Sequence, residues 1–166
     1  MKKTIIEYGL IILLVVFIRI FIITPIQVSG SSMNNTLQDN DIMLLNIIGY
    51  KLKNIKRFDI VVIDYEEEAL IKRVIGLPGE NIEYKDNKLY VDGNYIKELF
   101  INDEYTDDFS LNDLGYQVIP DNMYFILGDN RDNSTDSRYI GLINKDQIIG
   151  KTNIIIYPFS RWGLVK

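Results

Sequence analysis

The chain has 166 residues, enough for one domain with its own core and short for two. Its 18 basic and 23 acidic residues leave a net charge of −5, which argues against binding nucleic-acid phosphates. With no Cys and no His, disulfides, thiolate chemistry, Cys-based metal sites and the commonest acid–base side chain are excluded.

The first element is "MKKTIIEYGLIILLVVFIRIFIITPIQ". Residues Tyr8 to Ile18 carry no charge, and with Arg19 tolerated the apolar run extends over about 5–23. That is close to the roughly 20 residues of a membrane-spanning helix. Arg19 sits near the far end, where its stem can reach the headgroups. Pro25 marks the exit from the helix. Lys2 and Lys3 precede the span, and after Arg19 the next charge is Asp39. The positive-inside rule then predicts a cytoplasmic segment 1–4, an anchor 5–24 and an extracytoplasmic domain 25–166. No alanine occurs before Ala69, so an Ala-x-Ala cleavage site is missing and the run does not read as a cleaved signal peptide. Nor does it show the polar face of a core helix.

Next comes "VSGSSMNNTL", residues 28–37, with Ser31 and Ser32 beside Met33. Serines near glycine are common turn formers. As a nucleophile, either would need a base other than histidine.

From Asp41 onward short apolar runs alternate with turn residues. Segments 58–65, 69–77, 82–96, 116–120, 123–130 and 147–159 read as strands rich in Ile, Val, Tyr and Phe. Asp92-Gly93 marks a hairpin. The polar stretch from about 97 to 115 reads as a loop within a small insert spanning roughly 81–119. Glu66–Glu68 and Asp107–Asp108 read as solvated loop charges. With no long amphipathic helix after the anchor, the body is expected to be mainly β, an antiparallel coiled sheet or barrel.

Within "LIKRVIGLPG" a lysine and an arginine lie among Leu70, Ile71, Val74 and Ile75. A neutral lysine amine can activate a serine, but only if burial lowers its pKa by several units. Alternation puts Leu70, Lys72 and Val74 on one face and Ile71, Arg73 and Ile75 on the other, both apolar. Arginine cannot give up its proton in a protein, so Lys72 is the candidate base and Arg73 an ion-pairing residue. From this stretch alone, a snorkelling lysine on an edge strand is the commoner reading, ahead of a buried base.

The last stretch, "GDNRDNSTDSRYIGLI" (128–143), is dense in Asp, Asn, Ser and Arg. It fails as a calcium loop: counted from Asp132, the sixth position is Ser137 rather than glycine and the twelfth is Ile143 rather than glutamate. It reads better as a hydrogen-bonded loop tied by Asp/Arg pairs. No Ser-x-x-Lys occurs in the chain.

These stretches, in this order behind an anchor, resemble the bacterial type I signal peptidases over nearly the whole chain. "SGSSMNNTL" is similar to the family's Ser-Met-x-Pro-Thr-Leu box, which implies Ser32 as nucleophile. "RFDIVVI" is similar to Gly-Asp-Ile-Val-Val, with Phe58 where glycine is common. "LIKRVIGLPGE" resembles the lysine box and implies Lys72 as general base, and "GDNRDNSTDSR" resembles the last box. By the resemblance Ser134 hydrogen-bonds and orients the Lys72 amine, Asp136 and Arg138 form a structural ion pair, and Asp129 supports them. Val28, Gly30, Met33, Leu37 and Ile71 are implied as substrate contacts. The departures are Asn35 in place of proline, implying a less rigid turn, and Gly30, which has no hydroxyl for an oxyanion. The resemblance implies a membrane-bound serine endopeptidase acting on exported preproteins with small residues before the cut, with neither metal nor organic cofactor. The alternatives are an anchored β domain that binds without catalysis, which needs an exposed Lys72, and a self-cleaving Ser-Lys protease.

Overall fold

The computed structural model describes residues 2–21, 23–47, 54–101 and 105–165; within these, the side chains of residues 2, 3, 5 and 16–21 and of Ile23 are outside the description. Helix α1 runs Lys2–Phe21, and its described apolar side chains from Ile6 to Val15 are all exposed, Leu13 at 69%. Among the described residues no helix is long and apolar enough to cross a membrane. The Arg19 side chain and the sequence-based reading of it lie outside the described residues.

The rest is built on two antiparallel sheets. Eight strands form the larger one: β1 (Ile23–Gln27), β2 (Ile42–Asn46), β3 (Ile60–Tyr65), β4 (Glu68–Gly76), β9 (Met123–Leu127), β10 (Ile143–Asn144), β11 (Ile148–Tyr157) and β12 (Gly163–Leu164). Their order is β1-β2-β11-β3-β4-β9-β10, with β12 beside β11. Among the described residues the sheet is open, with β1 and β10 at the two ends of this order, rather than a closed barrel. Strands β5 (Ile82–Lys85), β6 (Lys88–Val91), β7 (Asn94–Ile96) and β8 (Phe109–Ser110) make the second sheet, in the order β7-β6-β5-β8. Two tight turns join its first three strands. Asp86, Asn87, Asp92 and Gly93 all have positive φ, which suits Asp, Asn and Gly in hairpins of this twist.

Three differences from the sequence-based reading have physical causes. Pro25 lies inside β1, a position a proline tolerates because β1 is an edge strand. Strand β2 is not among the segments read as strands, because its five residues, IMLLN, are too few to show a strand period. Segment 116–120 is not a strand: the Ile119 backbone bonds Gly79 and Glu80 on the "GLPGE" turn instead of a ladder.

The core explains why both faces of β4 are apolar. Val74 packs with Val61, Ile63, Tyr124 and Ile126, while Ile75 packs with Tyr84, Leu111 and Phe125 between the two sheets. A third cluster of Val28, Met33, Leu37, Met43, Ile60 and Ile155 lies beneath residues 28–37, with Ile71 against it.

Candidate active site

Residues 31–37 form a compact turn. Asn34 N–H donates to Ser31 O, and the Thr36 and Leu37 N–H groups donate to Met33 O. Met33 and Leu37 are sunk in the core at 2% and 0% exposure, so the turn is pinned from below and Ser32 is carried at the surface, half-buried. Asn35 has φ +81°, the left-handed region that Asn tolerates and that proline, fixed near −65°, cannot enter. Asn35 is therefore suited to the turn this chain makes. Phe58, where glycine is common in the second box, also has a positive φ of 70°. That conformation costs an aromatic residue on the order of 1–2 kcal/mol. Its ring packs edge-on against Phe100 at 5.0 Å, an offsetting contact.

Lys72 Nζ lies 2.8 Å from Ser32 Oγ, bridging 40 residues of sequence. Strand β4 sets this up by pairing with β3 along Glu68–Arg73 and with β9 from Arg73 on, so Lys72 sits where the second ladder begins, and it is 3% exposed. The two carboxylates that act on it are each covered by a guanidinium. Asp129 takes Arg73 Nε at 2.8 Å and Nη2 at 2.6 Å, both side chains about 1% exposed. Asp136 takes Arg138 Nε and Nη2, each at 2.9 Å. Burial pushes the Lys72 amine below its ordinary value of 10.5, against the opposing pull of Asp136 and Asp129.

Loop 128–136 closes over the turn. Asn130 N–H donates to Ser32 O and its side-chain amide to Ser31 O, each at 3.0 Å. Asn133 Nδ2 donates to Ser31 Oγ at 2.7 Å. Gly128 N–H donates to Asp136. A Cβ on Gly128 would stand 2.2 Å from Ser134 Oγ and 2.5 Å from Ser32 O, so only glycine lets the loop come this close.

Ser134 lines the same cleft as Ser32 and Lys72, but the bond expected from it to the Lys72 amine is not formed. Its buried Oγ has no partner, because the amine points to Ser32. The cleft, about 670 Å³, is also lined by Ser29, Gly30, Leu70, Asp132, Asn133 and Tyr139. A small adjoining cavity of about 60 Å³ is walled by Val28, Met33, Ala69 and Ile71, with Gly30 at its rim. Leu37 does not line it; the side chain is wholly buried in the cluster beneath. Gly30 N–H is occupied by Asp39 Oδ1 at 2.9 Å. Among the described residues the Ser32 N–H donates to no acceptor. A separate cavity of about 470 Å³, between Phe58, Phe100 and Val165, contains neither Ser32 nor Lys72.

Sequence reasoning had Asp129, Asp136 and Arg138 but missed Asn130, Asn133 and Gly128. The signal available was their density in one loop, which does not say which of them turns toward the serine.

A family model described as "Signal peptidase, peptidase S26" matches residues 1–157. Signal peptidase IB of Staphylococcus aureus is 39% identical over 181 residues, covering 98% of this chain and 94% of that protein. Signal peptidase I S of Bacillus subtilis is 37% identical over 175 residues, covering 96% and 92%. The crystal structure of a signal peptidase I from Enterococcus faecalis matches with a TM-score of 0.55 at 36% identity, over 60% of this chain and 97% of that one.

Proposed function

The chain belongs to the signal peptidases of peptidase family S26, and we propose that Ser32 and Lys72 are the dyad with which this serine peptidase removes signal peptides. The observation that carries the dyad is the 2.8 Å contact between Ser32 Oγ and a lysine amine that is 3% exposed. At that distance the proton can travel in either direction.

Ser32 Oγ attacks the carbonyl at the cleavage site while neutral Lys72 takes the hydroxyl proton. A tetrahedral oxyanion forms, stabilised by the Ser32 N–H. Lys72 returns the proton to the leaving amine, and the C–N bond breaks to give an acyl-enzyme. Lys72 then takes a proton from water as the hydroxide attacks the ester, the C–Oγ bond breaks, and Lys72 returns the proton to Ser32 Oγ. The unpartnered Ser134 Oγ, facing the same cleft, is suited to accept from the amine and hold its lone pair toward Ser32. Asp129, Asp136 and Arg138 keep the buried charge around Lys72 balanced.

The substrate lies extended beside residues 26–30 and the lysine strand, bound through its backbone. The cavity between Val28, Met33 and Ile71 is small enough to admit only a short side chain before the cut. Helix α1, apolar and exposed from Tyr8 to Val15, serves as a single-pass anchor with the N-terminus in the cytoplasm and residues after about 25 outside. It confines enzyme and preprotein to one bilayer surface and so raises their effective concentration. The non-catalytic alternative needs an exposed lysine, which Lys72 is not.

Incubation of the detergent-solubilised full chain with a preprotein tests the nucleophile. Ser32→Ala should abolish cleavage, whereas Ser31→Ala, losing one bond to Asn133, should keep most of it. An inactive Ser31→Ala beside an active Ser32→Ala would put the nucleophile one residue earlier.

A further inference from the structure

Arg131 takes no part in the chemistry above, yet it is 2% exposed and gathers more polar contacts than a loop residue needs. Its guanidinium forms an ion pair with Glu98 Oε1 at 2.6 Å and donates to Thr106 Oγ1 at 2.7 Å and to Tyr84 Oη at 3.1 Å. Tyr84 Oη in turn donates to Glu98 at 2.9 Å, and the guanidinium stands 5.3 Å from the Tyr84 ring centre. Tyr84 is on β5, and Glu98 and Thr106 belong to the chain that returns from β7 to β8. The three partners thus come from the second sheet and the connection between its strands β7 and β8.

The same arginine is fixed to its own loop at two further points. Its Nε donates to Gly128 O at 3.1 Å, and its carbonyl accepts from Arg138 Nη2 at 2.7 Å. The residue before it, Asn130, is the one that holds the Ser31 and Ser32 carbonyls. One planar peptide therefore separates the grip on the nucleophile from the grip on the second sheet. The sheet does not need this network to pack, since Tyr84, Leu89, Val91 and Leu111 already bury against Ile75, Phe125 and Leu127. The polar contacts go to the loop instead, where moving it would strip a buried guanidinium of its partners.

We propose that Arg131 is a positioning residue: held by Glu98, Tyr84 and Thr106, it braces Asn130 against the Ser31–Ser32 backbone, so that the second sheet sets the placement of the nucleophile. This rests on the assignment of Ser32. The expected signature is a loss in turnover rather than in substrate binding, because Arg131, Glu98, Tyr84 and Thr106 line neither the cleft nor the small cavity.

The test is steady-state cleavage of a preprotein by the full-length enzyme, well below each variant's melting temperature, for Glu98→Gln and Tyr84→Phe in the wild-type and Asn130→Ala backgrounds. Glu98→Gln should lower kcat about tenfold or more with KM within about twofold, since sub-ångström misplacement of a nucleophile is costly. Tyr84→Phe, which leaves the ion pair in place, should act in the same sense but less, and it carries the test if Glu98→Gln does not fold. In Asn130→Ala either substitution should add less than about twofold, because the brace acts through Asn130. Unchanged kcat, a loss confined to KM, or the same fold loss in both backgrounds would overturn the proposal. Ser32→Ala run alongside separates the two failures: if it stays active the assignment of Ser32 has failed, and if it is dead while the brace variants behave as wild type only the brace has.

Discussion

A lysine can serve as a base only where its ammonium form is disfavoured, and the surroundings of Lys72 show how that comes about here. Asp129 and Asp136 favour the charged amine, but Arg73 and Arg138 cover them, so burial has the larger effect. Lys72→Arg should then be as inactive as Lys72→Ala in the preprotein assay, because a guanidinium keeps its proton at any working pH. Retained activity in the arginine variant would mean the position supplies only charge. The lysine's candidacy was legible in the sequence, as a lysine and an arginine inside one apolar run of which only the lysine can lose a proton. Its partners were less so. Nothing in the spacing says that Arg73, one residue away, turns to Asp129 while Lys72 turns to Ser32; that follows from alternation on β4 once β3 and β9 flank it.

At the scale of elements, turn 31–37 depends on the left-handed conformation of Asn35 and on the burial of Met33 and Leu37. Asn35→Gly should leave cleavage and melting temperature nearly unchanged. Asn35→Pro should lower the melting temperature, costing more than about 1 kcal/mol, and reduce cleavage as Ser32 is displaced. A proline variant as stable as wild type would mean the turn adopts another form in solution. The family's proline made position 35 look like a loosened copy of a known turn, and a residue's identity does not reveal the sign of φ. Phe58 is the same case: glycine is common there because φ is positive. Strands with runs of Ile, Val and Tyr were readable from their pattern, whereas β8, two residues long, and the short β2 carry too little sequence to show a period.

In the whole molecule, the large sheet carries Lys72, Tyr84 and the β7–β8 connection hold Arg131 in the loop that closes over turn 31–37, and α1 presents exposed apolar side chains from Leu10 to Val15. The antiparallel β body was predictable from strand patterning, but its division into two sheets, and the bonds from Glu98 and Thr106 to Arg131, depend on contacts distant in sequence. The proposed role of α1 as an anchor predicts an orientation. Protease added to intact cells should cut residues beyond about 30 from outside and leave Lys2 and Lys3 protected. Protection of the body until the cells are lysed would reverse that orientation.

The claim on which all of this rests is that Lys72 works as a neutral base, and the pH dependence of kcat/KM for the wild-type enzyme tests it most directly. Burial lowers the amine's pKa, so the reactive unprotonated form grows as pH rises, and activity should climb through a midpoint clearly below the ordinary lysine value of 10.5. A rise only near that value, or activity that falls across this range, would contradict the assignment of Lys72 as the base.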